Sequence, residues 1–309
     1  MVIINNIYRG KIFKTFIRVK YKILLMNKEL YFIKTVTPLY IGSQDERFEV
    51  DKPVVRDVFD VPYIPGSSLK GALRRYFGKD HKSKVENVFG NNENPSKVKF
   101  VDAIPLILLA REIERMFLYV VPFIYFEKFL DYVEVVDPNL ASALRAEFEN
   151  LKEESKGETI ALVADEDIGN KTIYLNEHNI KTKHIDMNSC ENIKKLIEKL
   201  EKEFNLPELL NRIVFLFGDE TGDIINRSLI VYQRNRLEDD VKRAKPGALW
   251  AEEYIPYNSI FVSIIMYDED IVDQIKVLKN VYTFLGGLET IGKGFCEIKA
   301  IDLKVWYYE

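Results

Sequence analysis

Apolar and polar positions along the chain fall into short blocks with two different periods. "ELYFIKTVTPLYIG" (29–42) is dense in β-branched and aromatic residues and predicts a strand ending at a Thr-Pro turn. The polar, Pro-broken residues 43–60 predict a loop. Leu69, Ala72, Leu73, Tyr76 and Phe77 then recur at helical spacing and define one buried face. Residues 103–130 are strongly apolar, and "FLYVVPFIYF" within them predicts a strand interrupted at its proline. "ASALRAEFENLKEESKG" and "SCENIKKLIEKLEKEF" are amphipathic helices, the second with a stripe of Ile193, Leu196, Ile197, Leu200 and Phe204. Between them "ETIALVADEDIGNKTIYLN" predicts a hairpin around a Gly-Asn turn.

"RIVFLFGD" (212–219) and "IFVSIIMYD" are buried strands, and residues 228–256 predict two strands joined by a charged tip. "DEDIVDQIKVLKNVYTFL" reads as a helix from the spacing of Ile271, Ile275, Leu278, Tyr282 and Leu285, and "GFCEIKAIDLKVW" closes the chain as a strand. Strands and helices mix without regular alternation, which predicts an α+β sheet with helices on one face rather than a doubly wound parallel sheet.

Composition narrows the class. The 309 residues are 47% apolar and 30% charged, enough for one large domain with insertions or for two, at a formal charge of only −4. No apolar run approaches the roughly 18 residues of a membrane span. Cys190 and Cys296 lack metal-ligand spacing and suggest a reduced, cytoplasmic interior. Three histidines (His81, His178, His184) give little material for a zinc site or a triad. Residues 1–24 carry six Lys or Arg and no acid, which suits an RNA-binding arm, a membrane-surface segment, or an extension upstream of a true start at Met26.

Two glycine-containing segments carry the candidate chemistry. In "VPYIPGSSLKGALRRYFG" (61–78) a turn feeds a helix whose N-terminus presents free N–H groups and partial positive charge. Ser67 or Ser68 can cap it, Gly66 permits a tight turn or a close ligand, and Lys70 and Arg74 share one side with Arg75 adjacent. Residues 61–84 hold six basic side chains against Asp80, so an anion such as phosphate fits, unless this is simply a capped surface helix. Gly71 weighs against the plain helix, because an interior glycine costs about 1 kcal/mol relative to alanine. "GGLETIGKGF" (286–295) contains G-x-x-x-x-G-K, but Gly294 stands where a P-loop needs Ser or Thr, and the loop runs from helix to strand. A nucleotide hydrolase is therefore disfavoured. The loop still offers N–H groups and Lys293 to a polyanion, or is a plain turn. Asp219, Glu220 and Asp223 of "GDETGD" suggest either a hard-metal cluster or a solvated acidic turn.

"TPLYIGS", "YIPGSSLKGALR" and "GGLETIGKGF", in that order over residues 30–309, resemble the RAMP superfamily of CRISPR effector proteins. "VDKPVVRD" and "GALWAEEYIP" are most similar to the repeated backbone subunit of the type III-B (Cmr) complex. The resemblance implies a ferredoxin-like (RRM-like) core over residues 26–309, after a basic extension at 1–25. It further implies a helical insertion near 130–211 and a β-hairpin thumb, either 228–256 or 158–176. It implies head-to-tail copies along crRNA, with other Cmr subunits as neighbours and no membrane. Gly66, Ser67, Ser68, Lys70, Arg74, Gly292, Lys293 and Gly294 would contact crRNA phosphates. Target single-stranded RNA would be cut at regular intervals by 2′-OH attack, with Asp51 holding Mg²⁺ or Mn²⁺ and with Glu252 or Glu253 as further acidic candidates. Tyr40 stands where relatives can carry His, which removes a possible base. The competing readings are a non-catalytic structural RAMP subunit and a stand-alone crRNA-processing nuclease.

Overall fold

The computed structural model describes residues 26–43, 50–237 and 244–303. The basic extension at 1–25 and the tip of the charged hairpin at 238–243 lie outside them. Strand β1 (Asn27–Thr35) is paired antiparallel with β11 (Ile260–Tyr267) on one side and β13 (Phe295–Ala300) on the other. β12 (Asn280–Phe284) lies outside β13. The far side of β11 takes β2 (Val98–Phe100) and the start of β3 (Ile104–Glu112), which together form one edge strand broken at residues 101–103. At the break, Ala103 and Ile64 exchange backbone hydrogen bonds of 2.8 and 2.9 Å, so the segment before helix α1 (Gly66–Asp80) is held against the sheet.

Tyr31 and Phe32 point to opposite faces of β1 and are both fully buried, so the sheet is covered on both sides. The single helical face expected from the order of elements is therefore corrected to two. Helix α1 packs against β2 and β12 and buries Leu69, Ala72, Leu73 and Phe77, with Tyr76 half-buried. Helix α2 (Phe123–Val136) packs against β1 and β3, and its Phe129 ring lies 6.3 Å from Phe32. On that same face of β1, Lys34 donates to the Phe204 carbonyl at 2.7 Å, and Lys299 of β13 donates to the Glu203 carbonyl. Both carbonyls end helix α4 (Glu191–Phe204), whose dipole favours cations there.

The insertion after β3 builds a second sheet. β3 turns into β4 (Met116–Pro122), helices α2 and α3 (Pro138–Ser155) follow, and then β5 (Ile160–Val163), β6 (Thr172–Leu175), β7 (His178–His184), α4 and β8 (Ile213–Phe217). The strand order β3-β4-β8-β5-β7-β6 closes back on β3 at Glu112–Leu175, giving a barrel-like core. Its own apolar filling includes Leu118, Val120, Val163 and Val214. No described helix is long and apolar enough to cross a membrane.

Three expected elements are corrected. Pro122 ends β4 and is the N-cap of α2, so "FIYF" is helical rather than a strand continuing past the proline. β5 and β6 do not pair; the hairpin there is β6–β7, turning at Asn176 and Glu177, both at positive φ (44° and 71°). Residues 269–278 form only short helical turns, and 280–284 are a strand in which Val281 and Thr283 are buried while Asn280 and Tyr282 are exposed. Period two prevails there over the helical spacing. The two strands expected over 228–256 are present as β9 (Ile230–Leu237) and β10 (Ala244–Tyr254), a two-stranded ribbon apart from the main sheet.

Candidate nucleic-acid interface and catalytic loop

Helix α1 begins at Gly66 with Pro65 as N-cap, and neither Ser67 nor Ser68 caps it, contrary to expectation. Instead Asp102, from the break between β2 and β3, accepts the Gly66 N–H at 2.7 Å. The positive end of the helix therefore already faces a carboxylate. Gly66 is buried, and a Cβ there would lie 2.5 Å from the Phe100 carbonyl oxygen; the glycine serves packing against the chain itself. The open part of α1 lies further along. Gly71 is exposed, with nothing within 4 Å of where a Cβ would be. Ser67 is exposed, Lys70 is half-buried, and Arg74 donates to the Gly90 carbonyl at 2.9 Å.

Arg75, rather than Arg74, reaches the glycine loop, donating to Glu289 at 3.0 Å and to the Phe284 carbonyl at 3.1 Å. Ser68, Gly71 and Arg75 of α1 line one trough with Tyr40, Gly42, Gly286 and Gly287. The two glycine segments thus come together, but through Gly286 and Gly287 rather than Gly292–Gly294.

The loop between β12 and β13 is tied to the chain. Gly286 and Gly294 have φ of 70° and 75°, and a Cβ at either would lie 2.0 or 2.1 Å from a backbone carbonyl oxygen. The N–H groups of Gly287 and Gly294 donate to the carbonyls of Tyr40 and Pro38, each at 2.9 Å, and those of Gly292 and Lys293 donate within the loop. These N–H groups, expected to be free for a polyanion, are satisfied internally. Gly292 is exposed with open space around it. Lys293 points to the ribbon, its ammonium 4.7 Å from the ring centroids of both Tyr232 and Tyr254.

Asp51 is exposed, and its Oδ2 accepts the Ala251 N–H of β10 at 2.7 Å. Lys52 N–H donates to the Ala251 carbonyl and Glu253 N–H to the Lys52 carbonyl, so this loop runs alongside β10. Alternation along the strand sends the two glutamates to opposite faces. Glu252, 2% exposed, accepts from Lys52 Nζ at 2.8 Å, Trp250 Nε1 at 2.7 Å, Arg234 Nε at 3.3 Å and the Tyr254 hydroxyl. Burial pushes its carboxyl up, but the donors from Lys52, Tyr254 and Trp250 outweigh this and hold it down at about 2. Burial, followed by the bond to Glu252, pushes the Tyr254 hydroxyl up to about 12. Glu253, also buried, accepts from the Val54 N–H at 3.0 Å and from Arg56 at 2.6 Å; Arg56 further donates to Asn226 at 2.9 Å. Both glutamates, expected as further acidic candidates, are buried and enclosed by donors of the chain.

The linkage for Glu252 has a definite sign. Its folded pKa lies below the ordinary value near 4.5, so its stabilisation is present above that value and is lost as pH falls toward about 2. Glu252→Gln lowers the melting temperature at neutral pH, and the difference from the parent chain closes as pH falls through that window. Thermal melts across the window check this.

Among the described residues no three His, Cys, Asp or Glu side chains form a metal-binding group. Asp219 and Glu220 lie in a turn, whereas Asp223 lies in the short helix Thr221–Asn226 and pairs with His178 at 3.0 Å and with Arg227 at 3.3 Å. The His81 ring lies tilted against Phe77, His178 pairs with Asp223 and His184 ends β7, so no histidine joins the Asp51 loop. The Tyr40 ring packs 6.0 Å from that of Tyr254. Asp51 can supply one ligand to Mg²⁺ or Mn²⁺, which suits an ion whose other ligands are water and substrate phosphates but not a protein-only centre. Sequence reasoning missed Lys52 and Trp250, together with the assembly that they, Arg234 and Tyr254 form. Period two in "WAEEY" and "YQR" places Trp250, Tyr254 and Arg234 on one face of the ribbon, which Lys52 reaches from the neighbouring loop.

The RAMP superfamily model matches residues 32–297. The CRISPR system CMR subunit Cmr4 of Saccharolobus solfataricus is 30% identical over 88% of this chain and 96% of its own length. The Cmr endoribonuclease Cmr4 of Pyrococcus furiosus is 29% identical over 88% and 95%. Among solved structures, a chain of type III-B Cmr-β bound to cognate target RNA superposes with a TM-score of 0.70 at 29% identity, over 88% of this chain and 96% of that one. Oligomeric Cmr4 from Pyrococcus furiosus gives 0.63 at 23% identity over 89% and 98%, a likeness of fold. This chain belongs to the RAMP superfamily, within the Cmr4 family of type III-B CRISPR complexes.

Proposed function

We infer that this chain is the crRNA-binding, target-cleaving endoribonuclease subunit of a cytoplasmic type III-B complex, and that its copies assemble head to tail with other Cmr subunits. The observation that carries the inference is Asp51, an exposed carboxylate fixed by a backbone bond to Ala251 and followed by Lys52, which pairs with Glu252 of the same ribbon. The order β13-β1-β11-β2, all antiparallel, with α1 after the first strand and short helical turns before the last, supports a ferredoxin-like core interrupted by the barrel. The ribbon β9–β10 supports the thumb at 228–256, since 158–176 is not a hairpin.

In the cleavage step the 2′-oxygen bonds to phosphorus as the bond from phosphorus to the 5′-oxygen breaks. The 2′-hydroxyl loses its proton and the leaving oxygen gains one. Mg²⁺ or Mn²⁺ carried by Asp51 and the RNA phosphates would acidify the 2′-hydroxyl. The chain fixes Asp51 through Ala251, and Glu252 and Glu253 hold the loop and ribbon in register. The assembled complex is expected to cut complementary RNA at regular intervals, leaving 2′,3′-cyclic phosphates. Cutting by the isolated chain, or none by the complex, would overturn this.

Guide RNA follows the trough of Ser68, Gly71 and Arg75, with Ser67, Lys70 and Arg74 along the same helix and the exposed Gly292 in the adjoining loop. Contact through the phosphate backbone makes affinity fall steeply with salt and depend little on spacer sequence. Reversing the charge of Lys70 and Arg75 weakens all guides alike, measured by filter binding with two unrelated spacers.

A further inference from the structure

We propose that Lys52, Arg234 and Lys293 form a phosphate-binding site for the target strand beside Asp51. The proposal rests on the reading of the chain as a target-RNA nuclease and reassigns Lys293 from guide to target. Arg234 and Tyr232 on β9, and Trp250, Glu252 and Tyr254 on β10, share one face of the ribbon, because Glu252 pairs with Tyr232 and Trp250 with Arg234. Lys52 and Lys293 reach this face from two separate loops.

Three cations thus surround one carboxylate. Glu252 ion-pairs with Lys52 and Arg234, whereas Lys293 makes no ion pair among the described residues and rests on two tyrosine rings. Burial and then the neighbouring Arg234 push the Lys293 ammonium toward its neutral form, and Glu252 offsets this only in part. A phosphodiester supplies the missing negative charge, and the Lys52 and Arg234 side chains, 41% and 37% exposed, remain reachable from solvent.

Position selects the target strand over the guide. Tyr40 stands between the two regions: its carbonyl accepts the Gly287 N–H, and its ring borders Gly42 and Gly287 of the trough on one side and packs on Tyr254 of the ribbon on the other. A guide in the trough therefore leaves the ribbon side, with Asp51, to the strand paired with it. There the cations neutralise charge that builds on the non-bridging oxygens as the 2′-oxygen attacks.

The test uses the reconstituted complex. Lys293→Met is expected to lower single-turnover cleavage at saturating target by about tenfold to hundredfold, while Lys293→Arg stays within about threefold. Retention of labelled guide is unchanged in both. A second arm needs no cleavage: binding of a 2′-deoxy target is measured with a neutral methylphosphonate at the phosphate beside Asp51. Neutralisation weakens the parent complex about tenfold and leaves the Lys293→Met complex unaffected. Coupling to a methylphosphonate in the guide instead, or coupling to neither strand, overturns the proposal. A parent complex that fails to cleave but shows the target coupling overturns the nuclease reading and leaves the phosphate site standing.

Discussion

Replacing Asp51 by asparagine in the assembled complex is expected to lower target cleavage by about 10²- to 10⁴-fold, the usual contribution of a group that manages proton transfer or its metal. Asparagine keeps a side-chain oxygen for the Ala251 N–H, so the loop retains its anchor while losing its charge. Asp51→Ala removes both, and its excess effect over asparagine measures how much the anchor matters. Guide retention, target affinity and the size of the complex should match the parent in both variants. Persistent cleavage with normal assembly would make this chain a scaffold that binds guide and neighbours without cutting.

The largest expected effect on stability is at Gly286. A side chain there meets the Tyr40 carbonyl oxygen at 2.0 Å and sits at a φ that L-residues rarely adopt, so Gly286→Ala must shift backbone at the junction of loop and trough. A loss of about 1–3 kcal/mol is expected, seen as a lower melting temperature of the purified chain. Gly71→Ala reverses the sign. It has open space and ordinary helical backbone, so the melting temperature rises in line with about 1 kcal/mol of helix propensity. If guide RNA lies on that face, a bulkier Gly71→Gln weakens guide binding without destabilising the chain. A Gly71→Gln complex with unchanged affinity would remove the trough from the guide's path.

Much of the fold was legible because its elements bury one clean periodic face. The stripe of α4, from Ile193 to Phe204, is buried residue for residue as the spacing predicts. The misread segments carry two signals at once. Ile271 to Leu285 can be spaced as a helix, yet Asn280–Phe284 also alternates, and pairing with β13 decides between them. "IALV" looked like half of a hairpin, but it is a central strand whose partners, β7 and β8, come later in the sequence. In the site, Asp51 stood out only through family resemblance, since its anchor is 200 residues away. The glycines marked where backbone comes close, but not that the approaching backbone is the chain's own.

The seating of α4 on Lys34 and Lys299 bears on any attempt to shorten this molecule. Excising the barrel with its helices would strip two lysines of their carbonyl acceptors and open the Phe32 side of β1 to water. A trimmed version would need that surface redesigned before it could stand alone, so the extra segment is a structural lid as well as an addition.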